Sequence, residues 1–526
     1  MSNNFGFSPG RVGITYDQGV ILLSPRRQAR KGILEFCVPK RWVSRQISCF
    51  LGVLCVFARD TMIFVYPPNH LKKSQSPISF VMCCWLFLAA AQCEAVGNPP
   101  RLVRYLSGLE DFAGLACFGL VLADQAGVPD QVYNLGGRNA ALCTDATEVT
   151  DPRLLGQAFK AAETVSAKGE VLAAFTESLP QEQLATVVLP PAGISLQQLI
   201  SGQRFIVGIG LNYREHREET GAGDHVALSP DEVLVFPKVV APTGAYGEVE
   251  AGAKIGTSPA RPVRLLDYEA ELGMVLLQDL DLNAPPGNYA EFINGVAFFT
   301  ANDVSDRGPI IRDSEFGYTR GKSHPTYLPT GPWLVHGQHL QPQAPGEGSD
   351  NLEIGLVVQE PARGKQAARA RQLQSSSTDR MILGPWQIIR LLATRYQQGI
   401  RTCMRDASGA PRYTHTPSGI IPAGSVILTG TPGGTAIRAP GLLEKVDLFL
   451  RGGFSVAGAR QLLITDSEDH IQDSRYLEPG DVVETTITRL GQQRWTVTAD
   501  SALSPYGIDA SADCSTDVNI PLPATE

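Results

Sequence analysis

No apolar run in this 526-residue chain matches a bilayer span: the run from Ile78 to Ala91 is 14 residues, short of the ~18–20 a transmembrane helix needs. Aromatic residues are scarce at 7%, and no G-x-y or heptad repeat occurs, which excludes a collagen-like or coiled-coil chain. Basic charge is not in excess. With 45 Lys and Arg against 53 Asp and Glu, the net charge of −8 lacks the footprint of a nucleic-acid binder. HExxH and Walker sequences are missing, and the eight His show no zinc spacing. The Gly208–Tyr213 stretch has only two glycines of a dinucleotide loop, and Gly6-Phe-Ser-Pro-Gly10 has no strand ahead of it to build a nucleophile elbow. Ten Cys show no CxxC pair and no disulfide framework, so a reducing compartment and a cytoplasmic location are expected.

What is present is uneven. Residues 1–93 carry 11 basic against 3 acidic residues and six of the ten Cys. Their net charge of +8 leaves −16 on the rest. Residues 1–100 therefore read as a basic, apolar extension with three open readings. It is a buried or disordered extension, or a stretch upstream of a natural start at Met62 or Met82, or an export or membrane signal. From Arg101 the texture is globular, and 52 Gly and 37 Pro mark many turns. Alternating Arg101–Tyr105, apolar Gly119–Ala123 and a helical pattern over 153–180 predict a small α+β domain at 101–200, closed by Pro190-Pro191. Short strands predominate over 201–500: Phe205–Gly208, Glu232–Phe236, Glu271–Leu277, Val426–Thr429, Val482–Ile487 and Arg494–Val497, with a helix over Pro385–Ala393. Polar surface insertions are expected at 337–350 and 360–378, a long insertion at 436–474, and a polar tail at 501–526. The fold class is α+β and β-rich.

Chemistry concentrates in a few places. In Asp267-Tyr-Glu269-Ala-Glu271, which opens an apolar strand, alternate side chains share one face. Three carboxylates there need positive charge between them, either Arg or Lys or a hard cation with oxygen ligands. Asn302-Asp303 ends the next apolar strand and can add a third ligand. Asn212-Tyr-Arg-Glu215 has the form of a capping box for a two-turn helix stopped by Gly221. On that helix His216 and Glu219 share a face, which suits a carboxylate-oriented base and a movable lid. Lys322 sits between turns. Gly430-Thr431-Pro-Gly-Gly434 offers N–H groups and a hydroxyl to an anion. Each feature alone also fits a surface ion pair or an ordinary turn.

Taken in order, GIGLNYREHREE, VLVFPK, DYEAELGMVL, GVAFFTANDVSDR, GKS with GPWLV, SVILTGTPGG and YLEPGDVVE resemble the fumarylacetoacetate hydrolase family over about residues 101–500, most strongly over 203–335. The resemblance implies a mixed β-sandwich roll, usually a homodimer, holding Mg²⁺ or Mn²⁺ (Ca²⁺ in some members). It implies Glu269, Glu271 and Asp303 as cation ligands and His216 with Glu219 as the water-activating lid dyad. Lys322 would steady the substrate oxygen, and Arg307, Thr431 and Tyr213 would contact substrate. The activity implied is hydrolysis of a C–C bond in an acylpyruvate-type 2-oxo acid. Isomerisation, decarboxylation or dehydration of a 2-oxo acid is the alternative. A membrane-associated binding protein anchored by the N-terminal segment is a reading of a different class.

Overall fold

The computed structural model describes residues 14–17, 20–23, 54–58, 61–65, 99–145, 151, 153–186, 205–221, 234–253, 261–312, 317–364, 366–399, 403–405, 411–416, 418–469 and 475–499. The apolar run at 78–91, the Pro190-Pro191 linker and the 501–526 tail lie outside them. The chain divides into two compact units, Met1–Gly97 and Asn98–Glu526. Within the first, Ile14–Asp17 pairs antiparallel with Val20–Leu23, and Leu54–Ala58 with Thr61–Val65. Among the described residues no helix is long and apolar enough to cross a membrane.

The second unit is built on two sheets. Its elements begin with β1 (Arg101–Leu106), β2 (Leu115–Gln125), β3 (Val128–Asn134), β4 (Cys143–Asp145), helix α1 (Arg153–Lys168) and β5 (Thr176–Ser178). Then come β6 (Ile206–Gly210), helix α2 (Arg214–Thr220), β7 (Leu234–Pro237), β8 (Tyr246–Glu250), β9 (Ala270–Leu276) and β10 (Val296–Asn302). Helices α3 (Arg307–Arg312) and α4 (Gly317–Lys322) precede β11 (Leu334–His336), β12 (Glu353–Glu360), β13 (Arg369–Ser377), helix α5 (Pro385–Gln397) and β14 (Val426–Leu428). Two further helices, α6 (Leu442–Arg451) and α7 (Val456–Asp469), lead to β15 (Val482–Ile487) and β16 (Gly491–Thr498).

The large sheet runs β7-β6-β14-β9-β10-β11-β1-β2-β3-β5, with β4 on β2; the smaller runs β8-β16-β15-β12-β13. Every residue of β9 and β10 is buried, as expected for central strands covered on both faces. Alternation sorts their side chains. Leu272, Met274 and Phe298 face a core shared with Leu356, Val483 and Trp495 of the small sheet. Val275, Ala297 and Phe299 face the other way, into a cluster with Leu155, Phe159 and Val165 of α1. The 101–200 segment does not fold apart from the rest: β1 pairs with β11, so its strands extend the large sheet.

Two sequence expectations need correction. The polar surface stretch 360–378 is not without regular structure, since Arg369–Ser377 pairs along β12 as an edge strand. Its polar composition reflects one solvated face and an exposed edge. The second correction concerns cysteine. Cys117 and Cys143 stand directly opposite each other on β2 and β4 and form a disulfide. Sequence spacing cannot show such a cross-strand pair, because register rather than separation brings the two together.

Candidate functional site

Strand register assembles the acids. On β9 and β10, Ala270 stands opposite Asn302 and Glu271 opposite Ala301. One step further places Glu269 against Asp303, with Glu271 two residues along on the same face. That face is apolar at Val275, Phe299 and Ala301 and turns acidic where the strands end. Asn302 fixes the junction: its Oδ1 accepts from the Glu269 N–H at 3.0 Å and its Nδ2 donates to Thr485 Oγ1 at 3.1 Å. Asp303 N–H donates to Glu269 C=O at 2.9 Å. Beyond β14, Gly430 N–H donates to Glu271 Oε2 at 2.8 Å. Gly430 has φ +93°, open to glycine without strain.

The resulting trio is buried, and one oxygen from each of Glu269, Glu271 and Asp303 lies within 4.8 Å of the other two. Ligands on opposite sides of an ion are about 4.0–4.2 Å apart for Mg²⁺ and about 4.6–5.2 Å for Ca²⁺, so oxygens within 4.8 Å of one another can share one hard dication. Three cations surround it. Arg307 Nε holds Asp267 Oδ2 at 2.7 Å and its Nη2 holds Glu269 Oε1 at 2.5 Å. Lys322 Nζ reaches Glu269 Oε2 at 2.5 Å and Asp303 Oδ2 at 2.7 Å. Lys238 pairs with Asp303 Oδ1 and donates to Tyr327 C=O at 2.8 Å. Burial alone would raise Glu269, yet Lys322 and Arg307 hold it down at about 2. Glu271 goes the other way: burial drives it well above the carboxylate range, and Asp303 and Glu269 add to the push. Glu271 is therefore the acid least satisfied by the protein's own cations and the one with most to gain from a dication.

A cavity of about 140 Å³ opens on these groups. It is lined by Glu269, Glu271, Lys322, Arg307, His216 and Thr431, with Phe236, Ile310, Ile311, Tyr318 and Ile437 forming an apolar wall. Helix α2 brings His216 there. It ends as expected at Gly221, with φ +73°, but the capping box does not form. Tyr213 is the N-cap and has no side-chain bond, while Asn212 spends its amide on Leu383 C=O and Thr429 C=O, both at 2.8 Å. Long-range partners outcompeted the local cap. Glu215, the other half of the expected box, pairs with Arg380 at 2.7 Å.

His216 Nδ1 lies 3.8 Å from Glu219 Oε2 and 3.4 Å from Thr435 Oγ1. Both Glu219 oxygens accept from Gly434 N–H at 2.9 Å, and Arg438 adds a contact at 3.1 Å. Burial raises the Glu219 carboxyl, but His216, the Gly434 N–H and Arg438 outweigh it and hold it low. The Gly430–Gly434 turn thus offers N–H groups to Glu271 and Glu219, the chain's own carboxylates. Asp267, grouped by sequence with the other acids, serves the scaffold: it accepts from Ala436 N–H at 2.8 Å and Ile437 N–H at 3.2 Å besides Arg307.

Of the expected substrate contacts, Arg307 lines the cavity with its guanidinium held by two carboxylates. Thr431 also lines it, with Oγ1 donating to Ala270 C=O at 3.1 Å and accepting from Gln374 Nε2 at 2.8 Å. Tyr213 is fully buried away from the cavity lining, its hydroxyl without a hydrogen-bond partner among the described residues. Sequence reasoning passed over Lys238 and Gln374. A lysine closing the apolar strand Val-Leu-Val-Phe-Pro was the available signal for Lys238, because a charge there is buried and needs an acid.

Residues 205–498 match the family described as fumarylacetoacetate (FAA) hydrolase C-terminal. The chain is 26% identical over 243 residues to an uncharacterized protein of Archaeoglobus fulgidus, covering 46% of this chain and 74% of that one. It is 27% identical over 246 residues to a mitochondrial oxaloacetate tautomerase of Oryza sativa (47% and 86%). It is 26% identical over 298 residues to a 2,4-didehydro-3-deoxy-L-rhamnonate hydrolase of a Sphingomonas species (56% and 73%). A crystal structure of a probable 2-hydroxyhepta-2,4-diene-1,7-dioate isomerase from Mycobacterium abscessus aligns at 20% identity with a TM-score of 0.42, over 77% of this chain and 99% of that one. The matched segment spans more than half of the sequence and contains β6, α2, β9, β10 and β14, the elements that position the buried acids and His216, and the chain belongs to the fumarylacetoacetate hydrolase family.

Proposed function

We propose that this protein is a Mg²⁺- or Mn²⁺-dependent hydrolase that cleaves a C–C bond in an acylpyruvate-type 2-oxo acid. The observation that carries the reading is the buried trio of Glu269, Glu271 and Asp303, two of whose members, Glu269 and Glu271, line one cavity together with His216. A divalent cation held by Glu269, Glu271 and Asp303 would supply Lewis-acid charge to the carboxylate and keto oxygens of a 2-oxo acid. His216, oriented by Glu219, takes a proton from water, and the water oxygen bonds to the acyl carbonyl carbon. The bond from that carbon to the pyruvate methylene breaks. Its electron pair goes to the pyruvate unit, and the proton on His216 ends on that methylene. A carboxylic acid and pyruvate leave. Lys322, fixed beside Glu269 and Asp303, places positive charge where oxygen becomes anionic.

The wall of Phe236, Ile310, Ile311 and Ile437 supports an apolar acyl end, because among the described lining residues both cations already carry carboxylate partners. The test is an acylpyruvate panel assayed with and without EDTA and Mg²⁺, following loss of enol absorbance. Metal-dependent cleavage favouring apolar acyl groups is expected; no cleavage of any member, with metal present, overturns the reading. One observation favours a second reading, enolisation or isomerisation of a 2-oxo acid. At 3.8 Å His216 and Glu219 are not hydrogen-bonded, and a proton shift needs no activated water. Keto–enol exchange of oxaloacetate without hydrolysis of the panel would select it.

A further inference from the structure

Helix α2, which carries His216, is two turns long and keeps its place through contacts rather than through its own stability. Placing the helix does not by itself orient the imidazole, whose ring still turns about its side-chain bonds. At 3.8 Å from Nδ1 the Glu219 carboxylate is beyond hydrogen-bond length, so it biases the ring by charge without gripping it. The group that does reach Nδ1 is the hydroxyl of Thr435, at 3.4 Å, the long end of a hydrogen bond.

Thr435 is a fixed point. It is fully buried, and the backbone on both sides of it is tied down. Before it, Gly434 N–H lies on the Glu219 carboxylate at 2.9 Å, and Gly434 C=O accepts from the Tyr268 hydroxyl at 3.0 Å. After it, Ala436 N–H and Ile437 N–H donate to the two oxygens of Asp267 at 2.8 and 3.2 Å. Asp267 and Tyr268 immediately precede Glu269, so the hydroxyl is mounted on the same stretch of chain as the acid trio. Its hydrogen-bonding partner among the described residues is His216. A buried hydroxyl with no task costs free energy that a valine of nearly the same shape avoids.

The sense of the contact follows from charge. Glu219 is held low despite its burial, and it lies on the Nδ1 side of the ring. A lone pair on Nδ1 would face that negative charge, whereas a proton there is attracted to it. Nδ1 therefore carries the proton and donates to Thr435 Oγ1, and Nε2 keeps its lone pair for the cavity that His216 lines.

We propose that Thr435 is a positioning residue of this site: its hydroxyl holds the Nδ1–H of His216 and so presents Nε2 to water. The inference rests on the reading of His216 as the base of the hydrolysis. Thr435 touches no reacting atom. When Nε2 takes a proton from water, the Nδ1–H stays on Thr435 Oγ1 and no proton passes to the threonine. The test is the tautomer of His216 in the full chain, read by nitrogen-15 NMR of histidine-labelled protein in EDTA at pH 8, without substrate. The signal lost in His216→Gln assigns the ring. Wild type should be protonated at Nδ1, Thr435→Ser should keep that state, and Thr435→Val should move much of the proton to Nε2. With Mg²⁺ and an acylpyruvate, Thr435→Val should lose about tenfold or more in kcat, with KM within about twofold of wild type and Tm unchanged. Thr435→Ser should recover most of that loss. A wild-type ring protonated at Nε2 overturns the proposal, as does a Thr435→Val variant that keeps the wild-type tautomer. So does an unchanged kcat where the tautomer has shifted. A Thr435-dependent tautomer in a chain that cleaves no acylpyruvate upholds the positioning role and overturns the hydrolase reading instead. If Thr435→Val fails to fold, Thr435→Ala serves as the second probe, with the same expected and contrary outcomes.

Discussion

Replacing Lys322 by Met separates the two jobs that the site's geometry gives this residue. Its ammonium is buried and bonds Glu269 at 2.5 Å and Asp303 at 2.7 Å. Both carboxylates stay buried in the variant, within 4.8 Å of each other, with Arg307 and Lys238 as their remaining cations. Removing one member of a buried ion-pair network costs about 3–5 kcal/mol, because the partner charges remain desolvated. In a folded unit of about 400 residues, with an unfolding entropy of roughly 2.1 cal/mol/K per residue, that loss lowers Tm by about 4–6 °C. A dication in the trio replaces the missing charge and stabilises the native state by about 2.7 kcal/mol at a hundred times its Kd. Thermal unfolding at pH 8, in EDTA and in saturating Mg²⁺, therefore gives a distinctive pattern. The variant is several degrees less stable than wild type in EDTA, and Mg²⁺ raises its Tm by about 3 °C. Acylpyruvate turnover stays low in both, since the charge beside the reacting oxygen is gone. A variant as stable as wild type in EDTA, or one that Mg²⁺ leaves unchanged, refutes the electrostatic reasoning.

Three other perturbations follow from the same coordinates. Burial pushes Glu347 up to about 7 against the pull of the Trp386 and Gln387 N–H groups. Its folded state therefore holds a proton that the unfolded chain releases near pH 4.5, and stability falls as pH rises from about 4.5 to 7, by about 3 kcal/mol. Urea unfolding across pH 4.5–8 should show that slope in wild type and lose it in Glu347→Gln; an identical slope in both assigns it to other groups. Asp267→Ala strips Arg307 of one partner and frees the Ala436 and Ile437 N–H groups, for a loss of about 3–5 kcal/mol in chemical denaturation. A loss below about 1 kcal/mol would show that Asp267 does not brace this loop. In Gly434→Ala the new Cβ would lie 2.0 Å from Leu373 C=O at φ +106°. The turn must shift, carrying the N–H away from Glu219, so turnover should drop about tenfold or more, and wild-type turnover would contradict the anchoring role.

The acids were legible in the sequence because a strand has period two: Glu269 and Glu271 on one face, and Asp303 at the end of the next apolar strand, can be read without coordinates. The strands at 206–210, 270–276 and 482–487 were legible for the same reason, since apolar runs bounded by Gly and Pro leave little choice. Features that depend on register or distant partners were not legible. Cys117–Cys143 is set by pairing between β2 and β4, and Asn212 abandons a local cap for carbonyls some 170 to 220 residues away. Edge strand β13 hid behind its polar composition. Lys238 escaped notice because a lysine after a strand reads as solvated until the strand's burial is known.

If Glu269, Glu271 and Asp303 together hold one divalent cation, the chain binds it at a single site whose affinity depends on all three. Isothermal titration calorimetry of EDTA-stripped protein with Mg²⁺ and Mn²⁺ tests this most directly, with Glu271→Gln as the comparison. One saturable site per chain is expected, with proton release on binding because Glu271 must ionise, and loss of that site in the variant. No saturable binding to the wild-type chain, or undiminished affinity in Glu271→Gln, would contradict it.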